Sequence, residues 1–180
     1  MQLSDFDYQL PQDLIAQAPL AERSASRLLL VDPADNRFED RRFGDIVDCI
    51  DAGDLLVFND TRVIPARMFG RKQSGGQVEV LVERVIDDAT LLAQIRASKA
   101  PKPGVELVLE GEIECVMQAR EGDMFILYQR QGAWLDLLER YGHVPLPPYI
   151  DREDAHADRE RYQTVYASKP GAVAAPGFEA

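Results

Sequence analysis

Cysteine is scarce in this chain, and its placement excludes more than its number does. Cys49 and Cys115 are the only two, each inside an apolar pattern. Neither has a second cysteine or a histidine at ligand spacing, so the pattern predicts two buried thiols, no disulfide and no metal site. Long apolar runs are also missing. None approaches the ~20 residues a membrane span requires, which predicts no membrane partner. The opening Met1-Gln2-Leu3-Ser4-Asp5 lacks the basic start and apolar stretch of a secretory signal, and the expected location is the cytoplasm. Basic charge is in deficit, with a net charge of −11. That total argues against a nucleic-acid partner, because polyanions are bound mainly through Lys and Arg. No internal repeat or low-complexity stretch is present.

What remains is an ordinary globular composition, 46% hydrophobic and 28% charged over 180 residues. That length suits one medium domain or two small ones. The charge is unevenly spread. Residues 54–103 carry 8 basic and 6 acidic side chains, a local excess inside an acidic chain. Arg62, Arg67, Arg71 and Lys72 lie close together, and Arg96, Lys99 and Lys102 occupy residues 89–105 without an acid among them. Local field steers a polyanion more than the total does. From charge alone two readings stay open: scattered solvated charges, or basic loops that grip RNA at one place on an acidic body.

Periodicity divides the chain. PQDLIAQ (11–17) opens with proline at a first helical turn and predicts a short helix. SRLLLV (26–31) predicts a buried strand ended by Asp32-Pro33. Phe43, Ile46, Val47 and Ile50 fall on one helical face, with Gly53 as the stop, and DLLVFND (54–60) predicts a second apolar strand. This alternation predicts an α/β layer. Beyond Pro65 the period shortens to two: Val78, Val80 and Val82 alternate with Gln77, Glu79 and Leu81. Short runs at 90–97, 105–110, 112–119 and 123–129, separated by glycine-bearing turns, predict a small all-β barrel or sandwich. WLDLLERYG (134–142) predicts an amphipathic helix, and PLPPY (145–149) a rigid connection, because its prolines fix φ and remove donors. The predicted architecture is an α/β layer, residues 1–65 plus 146–180, interrupted by an all-β barrel insert over 66–145.

Five blocks, in order, resemble the S-adenosylmethionine:tRNA ribosyltransferase-isomerase family of queuosine biosynthesis. They are FDYQLPQDLIAQAPLAERSASRLLL (6–30), GDLLVFNDTRVIPARMFGRK (53–72), IRASKAPKPG (95–104), YGHVPLPPYIDRED (141–154) and DRERYQTVYASKPGAVAAP (158–176). The family pattern continues past Pro176 into a Thr-Ala-Gly-Leu-His-Phe segment, where this chain reads Gly177-Phe178-Glu179-Ala180. The resemblance therefore covers the family's N-terminal half, and it implies that the α/β layer is an incomplete part of an α/β barrel-like domain.

The resemblance also implies a reaction. The ribosyl part of S-adenosylmethionine, a consumed substrate, moves to 7-aminomethyl-7-deazaguanine at the wobble position of a tRNA with a GUN anticodon. The products are epoxyqueuosine, adenine and methionine; no metal takes part, and a monomer is expected. Such chemistry needs a base near an acidified C–H beside the sulfonium, a neutral amine, and exclusion of water.

FNDTR (58–62) ends a predicted strand, where open sheets place ligand contacts. Asn59 and Thr61 are candidates to bind ribose or the amino-acid moiety, Asp60 to face the sulfonium or an amine, and Arg62 to hold a carboxylate or phosphate. The competing reading is a strand-ending turn. Arg71, Lys72, Lys99 and Lys102 on predicted loops are candidate tRNA-backbone contacts. His143, at the domain junction, is a candidate base or a hydrogen-bonded structural residue. His156 is expected to be exposed. Tyr162 and Tyr166, at i and i+4 of a predicted helix, either stack on a base or pack on the sheet, with Gln163 a substrate contact beside them. Gly171–Pro176 predicts a backbone loop for close approach. A non-catalytic tRNA-binding β-barrel module is the alternative for the whole chain.

Overall fold

The structure, a computed structural model, describes residues 1–172. The chain divides into two compact units: Met1–Val57 with Pro148–Arg152, and Phe58–Pro147 with the chain from Glu153 onward.

The first unit is built on a hairpin. β1 (Arg27–Asp32) pairs antiparallel with β2 (Arg37–Arg42), Arg27 opposite Arg42 and Asp32 opposite Arg37. The Asp32 carboxylate accepts the amides of Ala34 and Asp35 at 3.1 and 3.3 Å, so the expected Asp-Pro turn reverses the chain. The two segments expected as α-helices are 3-10 turns instead, Gln12–Leu14 and Phe43–Cys49. Short helices depend on burying a face, and Phe43 and Val47 remain exposed here. The expected strand at 54–60 is likewise irregular, with Leu55 and Val57 exposed. A strand is held by its ladder, and within this stretch pairing begins only at Thr61. No residue of this unit is buried; among the described residues the expected α/β layer is present in part, as this hairpin with its 3-10 turns and, in the second unit, as one helical turn (Asp158–Arg161) and the parallel pair of Thr61–Val63 with Lys169–Ala172.

The second unit holds the core. β3 (Thr61–Val63) is followed by β4 (Arg67–Lys72), β5 (Gln77–Val85), β6 (Thr90–Ala97), β7 (Glu106–Leu109), β8 (Ile113–Glu121) and β9 (Met124–Gln129). Strands β4 to β9 close an antiparallel barrel in the order β4-β5-β6-β9-β8-β7. The period of two dictates its inside: Val78, Val80, Val82, Phe125 and Leu127 point inward with Met68, Leu107, Leu109, Ile113 and Met117. Register shifts between Val82 and Arg84 and between Met117 and Ala119 bend β5 and β8, as closure of a small barrel requires. Helix α1 (Trp134–Tyr141) joins this core through Trp134 and Leu138, both fully buried. The buried Gln129 ends β9, its amide donating to the carbonyls of Asp88 at 3.1 Å and Gly132 at 2.6 Å. After α1 the chain returns to the start of the barrel: His143 N–H donates to Arg67 O at 2.8 Å, and Arg67 N–H to His143 O at 3.1 Å. A single helical turn, α2 (Asp158–Arg161), leads to β10 (Lys169–Ala172), which pairs parallel with β3.

The two thiols separate by environment. Cys115 is buried in the barrel as expected, whereas Cys49, expected buried, is exposed. Burial pushes the Cys115 thiol from 9.0 up to about 12. Alkylation of the native protein at pH 8 should therefore modify Cys49 alone, and unfolding should release the second thiol, as intact mass will show. The unfolded thiol ionises near 9.0 and the folded one near 12. The contribution to stability is therefore complete below pH 9 and is lost as pH rises between these values.

Candidate active site on the outer face of the barrel

Met68 points into the barrel, so its neighbours Arg67 and Phe69 face outward, and His143 lies against that face. The imidazole edge meets the Phe69 ring at 5.3 Å between centroids. Nδ1 lies 2.9 Å from Asp154 Oδ1, and Nε2 lies 3.4 Å from Glu110 Oε2. The His143 side chain is 36% exposed, those of Glu110 and Asp154 only 17% and 18%. Asp154 also accepts the Val144 amide at 3.0 Å, tying the chain after His143 to the carboxylate that holds the ring. Glu110 Oε1 accepts the Phe69 amide, and Glu110 N–H donates to Phe69 O at 2.8 Å. The two carboxylates address opposite ring nitrogens, so they do not converge with the imidazole on one point. Sequence reading found His143 but neither carboxylate. They lie 33 and 11 residues away, and no local spacing marks them.

FNDTR forms a different cluster. The Asn59 side chain accepts the Thr61 amide at 2.8 Å, the Asx turn that was the competing reading, and Asn59 O accepts the Thr164 hydroxyl at 3.1 Å. Asp60 pairs with Lys169 at 2.9 Å and Arg62 with Glu160 at 2.7 Å, all partly or largely exposed. Gln163 grips β3 from both sides: it accepts Val63 N–H at 2.8 Å and donates to Val63 O at 2.9 Å. The helix ends at Arg161, and Tyr162 and Tyr166 do not share a helical face as expected. Tyr166 instead packs on Phe58 at 4.5 Å. His156 is exposed, as expected. Of the loop expected at Gly171–Pro176, residues 173–176 lie outside the described residues.

Two of the four basic candidates, Lys72 and Lys102, share a cleft, and Lys99 and Arg71 lie outside its lining. The β4–β5 turn and the β6–β7 loop border an open cleft of about 560 Å³ lined by Lys72, Gln73, Ser74, Lys102 and Glu106 among others. Lys72 Nζ donates to Lys99 O at 2.7 Å, which joins the two loops without neutralising the charge. Glu106, the acid of the lining, accepts from the Gln73 amide at 3.1 Å. Gly76 lies under the Lys72 side chain, since a Cβ there would sit 2.8 Å from Lys72 Cε and shift that side chain. Arg71 is exposed on β4 and is not among the lining residues.

Comparison with known proteins identifies the family. The profile of a family described as queuosine biosynthesis protein matches residues 3–178. The chain belongs to that family. A solved structure similar to it is an S-adenosylmethionine tRNA ribosyltransferase from Thermotoga maritima, 32% identical, with a TM-score of 0.38. The match covers 82% of this chain and 52% of that one, so the chain spans about half the length of this relative. Membership gives the chain a role in queuosine biosynthesis. Among the described residues, no helix is long and apolar enough to cross a membrane.

Proposed function

We propose that the chain supplies the N-terminal half of a cytoplasmic enzyme that transfers and isomerises the ribosyl moiety of S-adenosylmethionine onto 7-aminomethyl-7-deazaguanine at the wobble position of tRNA, giving epoxyqueuosine, adenine and methionine. The observation that carries this reading is the family match, which runs through every segment described above. Residues 1–65 and 146–180 belong to the α/β domain of that enzyme, and 66–145 to its inserted barrel. His143 acts as the base that takes a proton from the carbon beside the sulfonium: the C–H bond breaks, an N–H bond forms, and the electron pair stays on carbon. Asp60 faces the sulfonium or the amine, with Asn59, Thr61, Arg62, Tyr162 and Gln163 around it. The exposed Asp60–Lys169 and Arg62–Glu160 pairs support this, since exposed pairs are weak enough for a ligand to exchange. Adenine release from S-adenosylmethionine and precursor-bearing tRNA by the enzyme that contains this half tests the proposal; its absence at saturating substrates sinks it.

A second reading, a tRNA-binding module without catalysis, draws on the cleft lined by Lys72 and Lys102. With Lys99 and Arg71 outside that lining, these residues suit an RNA backbone because flexible cations serve phosphates that carry no sequence information. Lys72→Glu with Lys102→Glu should weaken tRNA binding by roughly tenfold or more at moderate salt. It should also flatten the log–log salt dependence by about two phosphate contacts. An unchanged slope in a filter-binding titration would place the RNA elsewhere. Binding that persists without adenine release would favour the module.

A further inference from the structure

The turn that carries Glu110 is an unusual place for a glutamate. Glu112 N–H donates to Leu109 O at 3.0 Å, and the two central residues, Glu110 and Gly111, have φ of 51° and 73°. Two successive positive φ values define the primed hairpin turn that asparagine, aspartate and glycine favour. A glutamate there is disfavoured by its Cβ, yet the position aims one carboxylate oxygen at Nε2 of His143. Strain of this kind accumulates where a side chain must be aimed. On the opposite ring nitrogen, the Asp154 carboxylate can only accept, so the hydrogen of Nδ1 points to it.

We infer that Asp154 and Glu110 are positioning residues for His143: Asp154, the nearer carboxylate, holds the hydrogen of the neutral ring on Nδ1, and Glu110, which also can only accept, disfavours a bare Nε2 and so holds the proton that this nitrogen takes up. The assignment rests on the proposed reaction for its use, but the ring geometry is measurable without it. Long-range 15N spectra of the labelled chain read the tautomer directly. His143 is assigned against His156→Asn, since the chain has two histidines. The neutral ring should carry its proton on Nδ1, against the Nε2–H preference of free histidine, and Asp154→Asn should move the population towards Nε2–H. A wild-type ring protonated on Nε2 overturns the inference.

Glu110→Gln separates aiming from scaffolding, because its amide oxygen still accepts the Phe69 N–H while the charge facing Nε2 is removed. Its Tm should hold, while kcat for adenine release falls roughly tenfold or more with little change in KM, as should that of Asp154→Asn. Wild-type kcat in both variants overturns the positioning role. An inactive wild type defeats the proposed reaction instead, and leaves the tautomer to decide the placement of the two carboxylates.

Discussion

Gly142→Ala should cost about 3 kcal/mol or more, at the upper end for an overpacked site. The backbone does not ask for glycine there: φ is −72° and ψ is 159°, values any residue adopts. Space does. An added Cβ would lie 2.0 Å from Pro65 O and 2.6 Å from Leu138 O. Both obstacles are backbone carbonyls, so no rotamer change relieves the clash. Leu138 O also accepts the Gly142 amide at 2.8 Å and thereby ends α1, so the chain cannot retreat without giving up that bond. The damage would pass to the next residue, since His143 is held to Arg67 through its own N–H and C=O. Thermal unfolding should show Tm lowered by roughly 10 °C. Gly44→Ala is the control, because a Cβ there meets nothing within 4 Å, and its Tm should stay near wild type. A Gly142→Ala protein as stable as the wild type would mean that the 141–146 segment can move freely off the barrel.

Trp134→Ala is the second large loss expected. The side chain is fully buried in the barrel core, and its indole N–H donates to Ala89 O at 2.8 Å. Truncating a buried tryptophan costs about 3–5 kcal/mol through lost apolar contact and the cavity left behind. Trp134→Phe retains much of the volume and loses the donor, so it should cost less. Ala89 O also accepts the Gln129 amide at 2.9 Å, so the carbonyl is not orphaned in either variant. Urea denaturation followed by circular dichroism gives both numbers, and equal losses in the two variants would assign the effect to the hydrogen bond instead of the packing. Because the protein has one tryptophan, wild-type fluorescence reports unfolding of the barrel alone.

The barrel was the legible part of this sequence. Val78, Val80 and Val82 announce a half-buried strand on their own, and the expected run at 90–97 coincides with β6. β4 was missed because Arg67, Gly70, Arg71 and Lys72 interrupt the apolar alternation: one face of that strand serves the exterior, and Gly70 is pressed against Val108 O and Leu109. β2 was missed because RFEDRR is almost wholly polar; its pairing rests on backbone bonds with β1. DLLVFND misled in the opposite direction. An apolar run states a readiness to be buried, whereas a strand also needs a neighbour, and pairing in this stretch begins at Thr61 with Lys169. At the candidate site, composition flagged the chemistry of His143, but Glu110 and Asp154 meet it only through the barrel's closure and the return of the chain. A glutamate followed by glycine reads as a plain turn until its φ is known.

The reciprocal bonds between Arg67 and His143 have a consequence for cutting and rejoining the chain. They bring the two ends of the barrel segment side by side, so a short linker suffices to join them. Residues 64–146 closed in this way should retain the barrel's sheet, which circular dichroism of the excised segment will show.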